Sequence, residues 1–336
     1  MPHTNMITLD YGSGGKKTSA LIENLIVPAM NSDELSRLGD GAVIKGAEEL
    51  AFSTDSFVVD PVFFPGGDIG KLSICGTVND LAMCGAEPKY LSLSFIIEEG
   101  LAKADLEKIV KSIAETAEKA KVKVVTGDTK VVEKGRGDKI YINTSGIGFL
   151  KHRGLSPQNI RPGDIVIVSG MIGDHGTAVM LARNRLLDAD IKSDCAPLNY
   201  LTERLLSAIP EGEVRILRDP TRGGVATTLN EFIDGTELGI ELQESTVPVR
   251  PEVRSACNML GLDPLYCANE GKLLCVVSGE YEKAALEAMR ADEAGKDAAV
   301  IGKVTDSFPG KVIVRTKLGG TRIIQKLAGA QLPRIC

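Results

Sequence analysis

A chain of 336 residues is long enough for two domains of roughly 150 residues, each with its own core. Its 45 Asp and Glu outnumber 39 Lys and Arg, giving a formal charge of −6, so there is no basic face for nucleic acid or a membrane surface. With 4% aromatic residues and no Trp there is little on which a base could stack, and no apolar run is long enough to span a bilayer.

The opening Pro2-His3-Thr4-Asn5 lacks the basic-then-apolar order of a secretion signal, and a cytoplasmic protein is expected. A Gly-rich stretch follows at 10–18. It misses the phosphate-loop pattern, because Asp10 stands where that pattern needs Gly and Lys17 where it needs Ser or Thr. Gly12, Gly14 and Gly15 with Lys16 leave two readings open, an anion-binding nest of backbone amides or a flexible arm. Periodicity predicts strands at 50–56, 90–97, 122–126 and 139–149, with helices at 68–84 and 103–121 between them. These make an N-terminal α+β domain, 1–150. A polar, turn-rich segment at 151–164 reads as a linker.

The second unit, an α/β domain over 151–318, opens with a strand at 165–169. Helices are predicted at 177–182, 198–208, 223–233, 250–260 and 281–291, and strands at 272–278, 300–304 and 311–315. Residues 319–336 show little patterning and read as a flexible tail, stiffened near its end by Pro333. Fully extended, its 18 residues would reach about 60 Å.

Seven cysteines include no C-x-x-C pair, which removes the usual zinc and redox spacings. Cys75, Cys84 and Cys275 lie in apolar surroundings and read as core. Cys336 is different, being the last residue on a mobile end. The three His form no cluster, so metallohydrolase and Ser-His-Asp chemistry drop away, and His175 reads as a helix-start residue after Asp174.

Five aspartates recur in small-residue turns: Gly39-Asp40-Gly41, Thr54-Asp55-Ser56, Asn79-Asp80, Gly127-Asp128-Thr129-Lys130 and Asp219-Pro220-Thr221-Arg222-Gly223-Gly224. Taken singly, each is an ordinary cap or turn residue. Gathered in one site they would repel one another and need a cation, and magnesium on a phosphate substrate is the hard-oxygen choice. Glu270, ahead of an apolar strand, is either a general base with a raised pKa or a turn residue beside Gly271.

The order Gly-Ser-Gly-Gly (12–15), Gly-Asp-Gly-Ala (39–42), Thr-Asp-Ser (54–56), Asn-Asp-Leu-Ala-Met-Cys-Gly-Ala-Glu-Pro (79–88), Thr-Gly-Asp-Thr-Lys (126–130) and Arg-Asp-Pro-Thr-Arg-Gly-Gly (218–224) resembles the aminoimidazole ribonucleotide synthetase superfamily along the whole chain. Thr-Gly-Asp-Thr-Lys-Val, Asn269-Glu270-Gly271 and the terminal Pro-Arg-Ile-Cys are similar to its carbamoyl dehydratases of nickel-iron hydrogenase maturation. Selenophosphate synthetases carry Cys or selenocysteine in or beside the Gly-rich arm, where this chain has Ser13.

The resemblance implies a two-domain α+β and α/β fold whose N-terminal strands help form a barrel at a homodimer interface, with ATP in the cleft. It implies Asp40, Asp55, Asp80 and Asp219 as magnesium ligands. Asn79, Asp128, Thr129, Gly223 and Gly224 would lie around the nucleotide, and Gly12, Gly14, Gly15 and Lys16 would cover it. A carbamoyltransferase would load Cys336, ATP would drive loss of water to a thiocyanate, and an acceptor complex would build the iron-cyanide centre. Lys130, or secondarily Arg222, would serve the carbamoyl oxygen and Glu270 would be the base. Two rivals stay open: a small-molecule kinase or synthetase of the same superfamily, which needs no Cys336, and a non-enzymatic thiol-presenting scaffold, which hydrolyses no ATP.

Overall fold

Alternating apolar and polar residues build the first sheet, because a strand turns successive side chains to opposite faces. The computed structural model describes residues 5–184, 190–327, 329 and 334–336. Three short helices, α1 (Lys16–Leu21), α2 (Val27–Met30) and α3 (Asp33–Ser36), precede β1 (Leu50–Phe57) and a small hairpin, β2 (Phe63–Phe64) with β3 (Gly67–Asp68). Then come α4 (Ile69–Met83), β4 (Ala86–Glu98), α5 (Lys103–Ala120), β5 (Lys123–Val132) and β6 (Ile140–Leu150). The sheet runs β1-β6-β4-β5, with β4 and β5 parallel and the other pairs antiparallel.

Inward residues of β4 and β6, among them Leu91, Phe95, Ile140 and Ile142, are buried with α4 and α5. Helix α4 is apolar nearly all round and correspondingly buried, with Asp68 accepting from the Gly70 and Lys71 amides at its start. Helix α5 is amphipathic and turns Leu106, Ile109, Val110 and Ile113 inward. Truncating Ile113 to Ala would cost about 2–5 kcal/mol. On the sheet's other face Leu50, Phe52 and Ile96 are exposed, Phe52 at 70%. The expected barrel therefore does not close within one chain: among the described residues this sheet is open, with two free edges.

The second domain runs β7 (Ile165–Val168), α6 (Asp174–Asn184), α7 (Asn199–Ala208), β8 (Val214–Arg218), α8 (Gly224–Phe232), β9 (Gly239–Gln243), α9 (Pro251–Leu260), β10 (Leu274–Val277), α10 (Glu282–Arg290), β11 (Ala299–Thr305), β12 (Val312–Arg315) and β13 (Thr321–Ile324). Seven strands lie in the order β13-β12-β9-β11-β7-β10-β8, with only β12 and β9 parallel among the paired neighbours. Central strands β7 and β10 are apolar without alternation because both faces are covered. Val166 and Val168 face the core of α8, while Ile167 faces that of α7 and α10.

Several expectations are corrected. Part of the expected tail is strand β13, paired with β12, so the segment 319–336 is not free throughout. Its last three residues are docked on the protein. Cys84, expected in the core, ends α4 in an exposed position. Helices α1 to α3 and strands β2, β3, β8 and β9 lie outside the elements the periodicity predicts. His3 and Pro333 lie outside the described residues. Among the described residues no helix is long and apolar enough to cross a membrane.

Candidate active site

Strand and helix ends along the seam between the domains gather an acidic group. Asp55 on β1 and Asp80 on α4 share one side of the first sheet, where the Ser53 hydroxyl donates to Asp80 Oδ2 at 2.7 Å. Asp219 follows β8 from the other domain, and burial, then the charge of Asp80, pushes its carboxyl up to about 7. Burial also raises Asp55 and Asp80. Carboxylates that raise one another fit a hard cation by charge and by donor chemistry. In this arrangement, however, no three His, Cys, Asp or Glu side chains among the described residues meet at a point that could hold a metal. Asp40 lies apart, on an exposed loop after α3.

Glu270 is at the centre of the seam. It is 2% exposed, and its Oε1 has no hydrogen-bond partner. Burial, then the charges of Asp219 and Asp194, hold its carboxyl well above the usual range. Its backbone is tightly held. Asp194 accepts from the amides of Glu270 at 3.1 Å and Gly271 at 3.3 Å. The Asn79 side chain donates to the carbonyls of Ala196 and Glu270 and accepts from the Leu198 amide at 2.8 Å. Asn79, expected beside the nucleotide, is thus occupied in joining α4 to the second domain. Gly223 and Gly224 open α8, and Gly224 (φ 58°) is so close to this loop that a Cβ would stand 2.5 Å from the Cys267 carbonyl oxygen.

The chain end arrives here. The Val58 amide donates to the Cys336 carbonyl at 3.0 Å, the Asp60 amide to Arg334 at 3.3 Å, and His175 Nε2 to Ile335 at 2.8 Å. Arg183 adds a bond to the Arg334 carbonyl at 2.6 Å. Cys336 is 9% exposed, and Arg222 Nε points at its sulfur at 3.3 Å. Burial, reinforced by Glu270 and opposed by Arg222, pushes the thiol up to about 12, so the resting sulfur is protonated and unreactive. Arg222 also stands 3.9 Å from Asp55.

A second group forms on the far edge of the first sheet. Gly12 packs on Val131 of β5, where a Cβ would lie 2.3 Å from the Val131 nitrogen. Beyond it, Gly14 donates to Thr18 Oγ1 at 3.1 Å, while Gly15 and Lys16 are exposed. Asp128 is lowered by Lys130, whose Nζ reaches both its oxygens at 2.6 and 2.7 Å. Thr129 is buried and, with Leu35, Gly39, Gly41 and Phe95, lines a cavity of about 260 Å³. Strands β1 and β5 are three strand spacings apart, about 14 Å. Lys130, the first candidate for a cation there, pairs with Asp128 instead, and the cation at the Cys336 sulfur is Arg222, the lesser candidate.

Sequence reasoning missed His175, Arg183, Ser53 and Asp194. Only His175 left a trace, as a lone His between Asp174 and Gly176, and its partner is a main-chain oxygen 160 residues away.

The fold is that of AIR synthase related proteins: the model of their N-terminal domain matches residues 38–150 and that of their C-terminal domain residues 161–315. The carbamoyl dehydratase HypE of Cupriavidus necator is 46% identical over 98% of this chain and 95% of its own length. A crystal structure of the hydrogenase maturation protein HypE in complex with ATP superposes with a TM-score of 0.93 at 47% identity, covering 98% of this chain and 99% of the other. A chain from a HypE–HypF complex gives a TM-score of 0.79 at 50% identity, covering 92% of this chain and 100% of the other. The chain belongs to this family and, within it, to the HypE carbamoyl dehydratases.

Proposed function

We propose that the chain removes water from a carbamoyl group carried on Cys336 Sγ, with ATP as phosphoryl donor, leaving a protein thiocyanate as the cyanide source for the iron of a nickel-iron hydrogenase. What carries this is the terminal thiol seated beside Arg222 and near a buried Glu270 with an unpartnered oxygen. An amide oxygen is a poor leaving group. Its attack on the γ-phosphorus releases ADP and, with loss of one N–H proton, gives an O-phosphorylated imidate. When the second N–H proton passes to ionised Glu270, the C–O bond breaks, the C≡N bond closes and phosphate departs. Arg222, facing the sulfur, is placed to hold the carbamoyl oxygen and then the phosphate, the part expected of Lys130.

Asp55, Asp80 and Asp219, with Asp40 from its loop, would hold magnesium, which when bound neutralises the charge of the transferring phosphoryl group. The nucleotide would lie between this group and the arm side, against Gly12, Gly14, Gly15, Lys16, Asp128 and Thr129. The complex known for a HypE with HypF supports a carbamoyltransferase as the partner that loads Cys336. The uncovered sheet face, with Phe52 in water, is the surface we assign to a second copy completing the barrel. The test is the intact mass of carbamoylated protein with and without magnesium-ATP. Loss of one water from the C-terminal peptide is expected, and ATP hydrolysis without it would overturn the proposal.

A further inference from the structure

We propose that His175 is a positioning residue for this reaction: its Nε2–H grips the Ile335 carbonyl and so sets where the Cys336 sulfur stands relative to Glu270. The inference rests on the proposed dehydration for what the docked sulfur does, but on geometry alone for the docking.

A carbonyl oxygen only accepts, so the 2.8 Å contact to Ile335 places the ring proton on Nε2. Nδ1 must then accept, and its partner is the Ser193 hydroxyl at 2.8 Å. Ser193 Oγ in turn accepts from the Cys195 amide at 3.1 Å, which leaves its own proton for the ring. The imidazole is fully buried, and Phe64 meets it edge-on with ring centroids 5.5 Å apart. Burial lowers its pKa, in keeping with a neutral ring held in one tautomer.

The same turn of chain holds the base. Gly173 N donates to Asn269 Oδ1 at 2.8 Å and Gly176 N to the Ala268 carbonyl at 3.0 Å, so both sides of His175 are bonded to the loop that carries Glu270. Val58 and Asp60 tie the chain end to the first domain. From the second domain Arg183 holds the Arg334 carbonyl, and His175, bonded on both sides to the Glu270 loop, holds the Ile335 carbonyl next to the sulfur-bearing residue. Losing that bond would strand a buried carbonyl between residues 334 and 336, which stay tied by Asp60, Arg183 and Val58, and so weaken the seating of the sulfur beside the base.

The experiment uses full-length His175→Phe, His175→Gln and Ser193→Ala. The first readout is iodoacetamide alkylation of Cys336, followed by mass mapping of the C-terminal peptide. His175→Phe is expected to speed alkylation about tenfold. Ser193→Ala, which frees the other tautomer, should speed it about threefold, and His175→Gln, which restores an N–H donor, should return it toward the parent rate. In single-turnover dehydration, His175→Phe should lower the rate while the KM for ATP stays unchanged. Unchanged alkylation in folded His175→Phe and Ser193→Ala would overturn the inference even if the parent dehydrates normally. An alkylation response in a parent that never loses water would instead sink the proposed function and leave the docking role standing.

Discussion

The two ends of this chain carry one expectation, mobility, and are held in different ways. At the C-terminus the backbone oxygens of residues 334, 335 and 336 each meet a donor, two from the first domain's backbone, one from a buried imidazole and a further one from Arg183. At the Gly-rich arm the side-chain contacts are a Lys17–Asp10 pair at 2.8 Å, exposed on both sides, local bonds of Ser13 and Thr18, and Lys103 over the Tyr11 ring. Exposed pairs of that kind contribute about 0–1 kcal/mol. The difference teaches where each end rests: the carrier end is parked inside the seam, whereas the arm is weakly fastened where a nucleotide would enter.

The largest effect expected is at the parked end. Cys336→Ala should abolish product while ATP binding, measured calorimetrically, is retained; water loss in that variant would break the comparison outright. Next, Glu270→Gln should slow dehydration by about 10²–10⁴, while Cys336 alkylation should quicken, because the carboxylate charge that helps hold the thiol up is gone. The base works ionised and its carboxyl is held high, so the parent rate should climb with pH and the variant's should not.

Asp219→Asn should weaken magnesium-ATP binding about tenfold or more and also report on stability. The folded carboxyl sits near 7 against an ordinary 3.8, so the fold holds that proton more tightly than the unfolded chain does. The stabilisation is full below about pH 4 and is lost as pH rises through 7. The parent's Tm should therefore fall between pH 5 and 8, and the variant's should fall less. The smallest effect is at the arm, where Lys17→Ala should leave Tm unchanged and raise the KM for ATP about twofold. A large loss of stability there would show the arm to be as firmly seated as the tail.

How much of this was legible depends on the range of the interaction. Helix α5 announces itself through local periodicity, helix α4 and the paired strands β7 and β10 through unbroken apolar runs, and most of the acidic turns through their small residues. Strand β9 also left a signal, with Ile240 and Leu242 buried and Gln243 exposed in alternation. Strand β13 did not: only Ile324 of its four residues is buried, and pairing with β12 makes it a strand. Asn79 reads as polar within an apolar helix, which signals a partner but not which one. The grip on the chain end is invisible in the sequence because it falls on main-chain oxygens, and the split of the expected site into two groups follows from the strand order β1-β6-β4-β5, which no local pattern encodes.

The docked end is gripped mainly through its backbone, and Arg222 is the side chain hydrogen-bonded to the sulfur itself. On the proposed reading, bare, loaded and finished forms would offer the same three oxygens to Val58, Asp60 and His175, so any discrimination between cargoes inside the seam would fall to Arg222. The direction of traffic would then be shared between that one arginine and whichever outside surface competes for the last residues.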